Sequence, residues 1–107
     1  MTKDRIFLDD ERIPKSKGFI IIRSYQKFVD WINDNGMPSY ISFDHDIASY
    51  DEDGIEKTGL DAAKFIINYC LDNKATIPEF NIHSANPTGS KNIEGLMNNF
   101  KKFKENN

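Results

Sequence analysis

Carboxylates and imidazoles gather at a few short places in this chain. Asp9-Asp10 follows Arg5-Ile6-Phe7-Leu8, Asp44-His45-Asp46 follows Tyr40-Ile41-Ser42-Phe43, and His83-Ser84 follows Glu79-Phe80-Asn81-Ile82. Each cluster stands at the end of a short apolar run. Carboxylates crowded together repel one another unless a cation or a proton is shared, and they shift one another's pKa values. Oxygen donors of this kind favour Mg²⁺ or Mn²⁺, and nearby imidazoles extend the choice to Mn²⁺, Fe²⁺ or Zn²⁺. The plainer reading of Asp9 or Asp10 is a cap on the turn that follows. His45 lies between two aspartates, which favours its cationic form and suits a general acid or a phosphate contact. His83 closes a mostly apolar segment and serves equally well as a satisfied core histidine or as a base. Ser84 can meet a phosphate oxygen or cap the Asn86-Pro87 turn. Arg12 can clamp a phosphate or pair with Glu11 or Asp10. Thr58-Gly59 and Thr88-Gly89-Ser90 each run into a helical pattern, where backbone amides attract anions, although neither is a phosphate-loop motif.

The elements that would carry these groups are legible from periodicity. Arg5–Leu8 is a short strand, and Gly18–Arg23 a second one, continuous and β-branched as a strand buried on both faces would be. Ser24 N-caps a helix with Tyr25, Phe28, Val29 and Ile32 on one face, stopped by Gly36 and Pro38. Tyr40–Phe43 is the third strand, and residues 47–57 form a polar loop. Thr58 and Asp61 make a capping box for a helix presenting Ala62, Phe65, Ile66 and Tyr69. Glu79–Ile82 is the fourth strand. After Asn86-Pro87-Thr88-Gly89 a last helix carries Ile93, Leu96, Met97, Phe100 and Phe103 on one stripe; its Lys101–Asn107 end should fray. Strands separated by helices imply right-handed crossovers and a parallel sheet covered on both faces. The expectation is a single domain over residues 1–107, an α/β sandwich in the order β-β-α-β-α-β-α. In such sheets ligands bind outside the carboxyl ends of the strands, where both histidines and four carboxylates converge.

Composition narrows the function classes. With 107 residues, 38% hydrophobic and 29% charged, the chain is neither a membrane protein nor a disordered tail. Its longest apolar run, Phe19–Ile22, is far short of the ~20 residues of a span. Met1-Thr2-Lys3-Asp4-Arg5 has no signal-peptide core behind it. The lone Cys70 excludes an intrachain disulfide and suits a reducing, cytoplasmic setting. A net charge of −3 argues against an extended nucleic-acid surface, though not against one small polyanion. Asp51-Glu52-Asp53-Gly54 imitates part of a calcium loop, but Ser49 and Leu60 stand where ligands are required. Trp31 and Tyr25 read as packing residues.

The chain resembles two-component receiver domains in the placing of Asp9-Asp10, Asp44 and Ser84, although the helix after the first strand is replaced by Glu11–Lys17. A receiver's fifth strand and its lysine have no counterpart here, since Lys91 lies on the last helix. It resembles more closely the compact cyclic-phosphate-processing receiver family. That family's signatures appear as Leu8-Asp9-Asp10-Glu11-Arg12-Ile13-Pro14, Ser42-Phe43-Asp44-His45-Asp46, Thr58-Gly59-Leu60-Asp61 and His83-Ser84-Ala85-Asn86-Pro87-Thr88-Gly89. Ile47-Ala48 stands where the family tends towards Leu-Gly, an exchange expected to alter loop shape. The resemblance implies a receiver-like, flavodoxin-like three-layer sandwich with a four-stranded, mainly parallel sheet and about three helices. It also implies chemistry on a cyclic phosphate.

On this reading the chain is a phosphoesterase opening a 2′,3′-cyclic phosphate at an RNA 3′ end or a cyclic nucleotide, in the manner of an RNA-repair hydrolase. Asp9, Asp10 and Asp44 would hold Mg²⁺ or Mn²⁺. His83 would act as base and His45 as acid, with Asp44 also in the catalytic set. Arg12, Ser84, Asn86, Thr58 and the amide of Gly89 would bind the ligand, with Asp46 orienting a histidine or water. Two other readings use the same residues: a module that binds or sequesters a phosphate or nucleotide without turnover, and a degenerate receiver that docks a protein through its last helix. The expected ligand is a small phosphorylated molecule, nucleotide or RNA end, with no membrane partner.

Overall fold

A computed structural model of the chain describes residues 4–105. Met1–Lys3 and Asn106-Asn107, which the readings of the start and of the fraying tail include, lie outside the described residues. The elements run β1 (Arg5–Leu8), β2 (Phe19–Ile22), α1 (Tyr25–Asn35), β3 (Tyr40–Phe43), β4 (Ser49–Tyr50), β5 (Glu56–Lys57), α2 (Gly59–Asn73), β6 (Glu79–Ile82) and α3 (Pro87–Glu105). β2, β1, β3 and β6 form one sheet in that order, parallel throughout. Three helices and this four-stranded sheet make the receiver-like α/β fold.

Local chemistry sets the helix starts. The Ser24 hydroxyl accepts from the Lys27 amide at 3.2 Å. Thr58 accepts from the Leu60 amide, and Asp61 returns the favour by accepting from the Thr58 amide at 2.8 Å, which completes the expected capping box. α3 begins earlier than its apolar stripe implies. Asn86 is the cap, its Oδ1 accepting from the Gly89 amide at 2.9 Å, and Pro87 opens the helix where no amide is needed.

Strand register decides which side chains share a face. Ile6, Leu8, Ile20, Ile22, Ile41, Phe43, Phe80 and Ile82 alternate along the four strands and pack with the apolar faces of the helices in one core. Phe28, Ile32, Ile66, Ile93 and Met97 are fully buried in it. α2 packs between α1 and α3, so all the helices lie on that side. The connections explain this. β2→α1→β3 and β3→α2→β6 cross the sheet in one direction, and right-handed crossovers in one direction share a face. β1→β2 runs the other way, through Asp9–Gly18. That connection contains Pro14 and is too short and irregular for a helix, so the second face is covered by a loop rather than by the helical layer that the crossover pattern suggests. β2 is in turn an edge strand rather than one buried on both faces: Ile22 is buried, whereas Ile21 on the helix-free side is 41% exposed.

Residues 47–57 contain a small hairpin where a loop was expected. β4 and β5 pair antiparallel, and the Asp51 carboxylate accepts from the amides of Asp53 and Ile55 inside its turn. That use of Asp51 replaces any calcium-loop role. The Ser49 hydroxyl accepts from the Tyr25 amide at 2.8 Å, which fastens the hairpin to the start of α1. Ala48, just before it, has φ +43°, in the left-handed region that costs a Cβ-bearing residue of the order of 1 kcal/mol. A glycine here meets the backbone's demand. Ala48→Gly should therefore raise the urea midpoint, by up to about 1 kcal/mol in stability, and an unchanged or lower midpoint would contradict this account.

Cys70 is buried, and that burial pushes its thiol up to about 11, so it is a packing residue without nucleophilic character. Among the described residues no helix is long and apolar enough to cross a membrane.

Candidate functional site

Leu8, Phe43 and Ile82 are paired side by side across β1, β3 and β6. The ladder continues one residue further: the Asp9 amide donates to Ile22 O, Asp44 to Leu8 O and His83 to Phe43 O. Arg23, Asp9, Asp44 and His83 therefore form a row across the carboxyl ends of the four strands. Asp9 and Asp44 flank the point where the chain's connections diverge in opposite directions, the place where α/β sheets open a crevice.

Asp9 is fully buried and completely engaged. Its Oδ1 accepts from the amides of Glu11 and Arg12 at 2.9 and 2.8 Å, which turns the chain away from β1. Its Oδ2 lies 2.9 Å from His83 Nε2 and 3.9 Å from Arg12 Nε. Burial raises the carboxyl's pKa, but the two amides and His83 more than offset it, leaving it below the ordinary 3.8. The capping role of Asp9 and its place in a functional cluster thus coexist in one side chain.

His83 is held from every side. Its Nδ1 lies 2.7 Å from the Ser42 hydroxyl, and its ring stacks on Phe7 at 4.3 Å between centroids and 7° between planes. In the neutral ring the Asp9 carboxylate fixes the proton on Nε2 and leaves Nδ1 to accept from Ser42. Ser42 is the residue between Phe7 and His83 on the sheet; its small side chain lets the two rings meet above β3. Arg12 donates to the His83 carbonyl at 2.9 Å, so it pairs with Asp9 and His83 rather than with Glu11 or Asp10. Arg23 donates to the carbonyls of Asp9 and Arg12 and pins the same loop.

Asp44 is 5% exposed, and its carboxylate has no hydrogen-bond partner among the described residues. It opens onto an acidic cavity of about 230 Å³ that Asp10, Asp46 and Arg12 also line. Asp9, Asp44 and His83 each offer a ligand atom, all within 4.8 Å of one another. The two carboxylates at this spacing suit a divalent cation, with the Asp44 oxygens open to the cavity; His83 Nε2 would join them as a ligand only on giving up the proton it shares with Asp9.

The remaining expected site residues are placed less directly. His45 Nδ1 lies 2.8 Å from Asp46 Oδ1, an interaction that holds the Asp46 carboxyl below its usual range. The His45 ring packs over Gly89 and lines neither this cavity nor the larger one described next. Asn86 spans the gap, donating to Asp46 at 3.3 Å while capping α3. Ser84 accepts from the Asn86 amide at 3.1 Å, the turn-capping alternative. The Thr58 hydroxyl is spent in the α2 cap, and the Gly89 amide on Asn86. What both glycines contribute is space. A Cβ on Gly59 would fall 2.0 Å from the Asp44 carbonyl, and one on Gly89 would fall 2.4 Å from the His45 ring. The start of α2 closes on the Asp44-His45 backbone, and that of α3 on the His45 ring, only because those side chains are absent.

A second cavity, of about 430 Å³, lies against the helix-free face of the sheet. Its floor includes Phe7, Phe19, Tyr40 and Ser42, and its roof is the loop that replaces a helix, including Ile13 and Pro14. Arg12 lines both cavities, and His83 forms a wall of the larger one. Sequence reasoning passed over Ser42, Arg23 and Phe7. Ser42 and Phe7 share the strand parity of His83 and Asp9, a signal usable once sheet order is known.

No curated protein and no solved structure matches the chain. A family model does, over residues 4–99, and its span takes in the Asp9 row, both glycine approaches and the Asn86 cap. With that match, the chain belongs to the cyclic-phosphate processing receiver domain family.

Proposed function

We propose that the chain hydrolyses a cyclic phosphoester, most concretely the 2′,3′-cyclic phosphate of a nucleotide or RNA 3′ end. The row Asp9–Asp44–His83 at the strand ends, in a chain of this family, is the observation that carries the reading. A divalent cation, Mg²⁺ or Mn²⁺, held by Asp44 and Asp9 with Asp10 at the rim, would polarise a phosphoryl oxygen and acidify bound water. The chain's own groups supply the rest. Arg12 is fixed by Asp9 and the His83 carbonyl, and its remaining N–H groups meet the non-bridging oxygens. Ser42 lines the larger cavity and touches His83 Nδ1, so a proton leaving the attacking water passes through the Ser42 hydroxyl to that nitrogen. The new P–O bond forms as one ribose P–O bond breaks, and the freed ribose oxygen takes a proton from solvent. His45 acts at one remove by holding Asp46 over the acidic cavity.

The test is mass spectrometry of a short RNA ending in a 2′,3′-cyclic phosphate, incubated with the protein and Mg²⁺ or Mn²⁺. A gain of one water is expected, abolished by EDTA and reduced at least about a hundredfold in Asp44→Asn. That variant should melt like the wild type, since the Asp44 carboxylate has no protein partner to lose. An unaltered RNA would remove the hydrolase reading.

One observation favours a second reading. Both nitrogens of His83 are already hydrogen-bonded, as befits a residue that shapes a binding site rather than moves protons. A module that sequesters a nucleotide would return its ligand unchanged after tight binding. The protein-docking reading keeps only a remnant of its surface: Ile93, Met97 and Phe100 of the α3 stripe are buried in the core, Leu96 is partly buried and Phe103 is exposed.

A further inference from the structure

We infer that the cavity on the helix-free face is a nucleoside subsite, which makes the ligand a nucleotide cyclic phosphate rather than the cyclic phosphate of a sugar or polyol. This rests on reading the Asp9 row as the phosphate site and extends that reading to the rest of the ligand. A cavity of about 430 Å³ is within the roughly 300–1,000 Å³ range of small-molecule sites. Its position follows from topology. The β1→β2 connection is a loop, so the sheet face below it keeps its aromatic side chains uncovered by a helix.

The lining suits a flat, amphipathic group. Along the floor Phe19 meets Phe7 edge-on, with centroids 5.9 Å and planes 68° apart, and meets Tyr40 at a tilt, 6.0 Å away; His83 covers one face of Phe7 and Arg5 one face of Phe19. Ile13, 75% exposed, and Pro14 stand opposite on the loop. The ring surface those contacts leave open to the cavity stacks a base whatever its identity, because every base has a π-face. A polyol would leave that apolar surface in contact with hydroxyls and gain nothing from it.

Polar groups are present but uncommitted. The Tyr40 hydroxyl and the side chains of Ser16, Lys15 and Asn81 line the cavity, and none has a hydrogen-bond partner among the described residues. They offer donors and acceptors to a base edge and a ribose, and Lys15 adds a cation for a neighbouring phosphate in an RNA chain. The link to the acidic cavity is direct. Arg12 lines both, and His83 forms a wall here while its Nε2 meets Asp9 there. A phosphate held at Arg12 thus sits at the mouth of the aromatic cavity, and the ester group it carries enters that cavity.

The experiment compares two probes on the full chain with Mg²⁺: adenosine 2′,3′-cyclic phosphate, and methyl riboside 2′,3′-cyclic phosphate, which lacks the base. Binding is followed by the aromatic resonances of Phe19 and Tyr40 in NMR titrations. The nucleotide should shift those rings and bind at least about tenfold more tightly than the base-free probe. Phe19→Ala and Asn81→Ala should each erase most of that difference while leaving the base-free affinity unchanged. Asn81 is exposed, so its variant keeps the test decisive if Phe19→Ala fails to fold. Equal affinity for both probes with the two rings unmoved would overturn the nucleoside subsite and leave the phosphate site standing. Binding of neither probe would overturn the phosphate reading, and the subsite with it.

Discussion

Gly59→Ala should be the most damaging single methyl addition in this protein. The new Cβ would lie 2.0 Å from the Asp44 carbonyl oxygen, 2.9 Å from its carbon and 3.0 Å from His45 Cα. All of these atoms are backbone, and the Gly59 amide donates to His45 O at 2.8 Å in the same place, so no side chain can swing aside. Relief requires α2 to lift away from the end of β3, which breaks that hydrogen bond and displaces Asp44. A loss of about 3 kcal/mol or more is expected, at the upper end of overpacking costs. Urea denaturation reads it directly. Gly95→Ala on α3 is the control: no atom lies within 4 Å of its new Cβ, and helix propensity alone should raise stability by roughly 0.5–1 kcal/mol. If the two alanines had similar effects, the close approach of α2 to Asp44 would be wrong.

The second large effect concerns Asp9. Asp9→Ala removes the acceptor of the Glu11 and Arg12 amides and the partner of His83 Nε2. Part-buried donors are left without partners, and the loop that carries Arg12 loses its anchor. The expected cost is about 3 kcal/mol of stability together with a drop in turnover of at least about a hundredfold. Asp9→Asn separates the two consequences. Its carbonyl oxygen can still accept from both amides, so the fold should survive. Its amide then faces Nε2 with a donor, which inverts the His83 tautomer and turns the proton on Nδ1 towards Ser42. Turnover should fall as in the alanine variant, and the imidazole nitrogen shifts of His83 should report the exchange.

Acid titration supplies an independent check on Asp9. Its carboxyl is held below 3.8 in the fold, chiefly because the two amides and His83 outweigh its burial. The stabilisation is therefore complete above the unfolded value and is lost as pH falls through the folded one. The stability advantage of the wild type over Asp9→Asn should be full at pH 7 and shrink as pH drops below about 3.8. An advantage independent of pH down to 2 would show that the carboxylate's charge contributes nothing.

Several features of the chain could be read before any coordinates. The spacing of Tyr25, Phe28 and Ile32, the Thr58–Asp61 box and the apolar runs before each acidic cluster are local patterns. Local sterics and hydrogen bonding suffice to produce them. The hairpin at 49–57 was illegible because its strands have two residues each, too few to show an alternation. The start of α3 was misplaced for a different reason. Its first turn, Pro87-Thr88-Gly89-Ser90, carries no apolar period, and only the Asn86 cap marks it.

What the sequence determined by itself is that Asp9, Asp44 and His83 each stand one residue past a strand, with two glycines and an asparagine near helix starts. Tertiary structure decided that these three form one row, that Ser42 and Arg23 support it, and that His45 packs beside Gly89 away from both cavities. It also decided that a loop and an aromatic floor leave a cavity beside that row. The reason is physical. Side-chain alternation is a property of one strand, but which strands are neighbours, and in what register, is a relation between segments far apart in the chain. That relation is settled by packing the helices on one face, so a group such as Ser42 acquires its partner only when β1, β3 and β6 lie side by side.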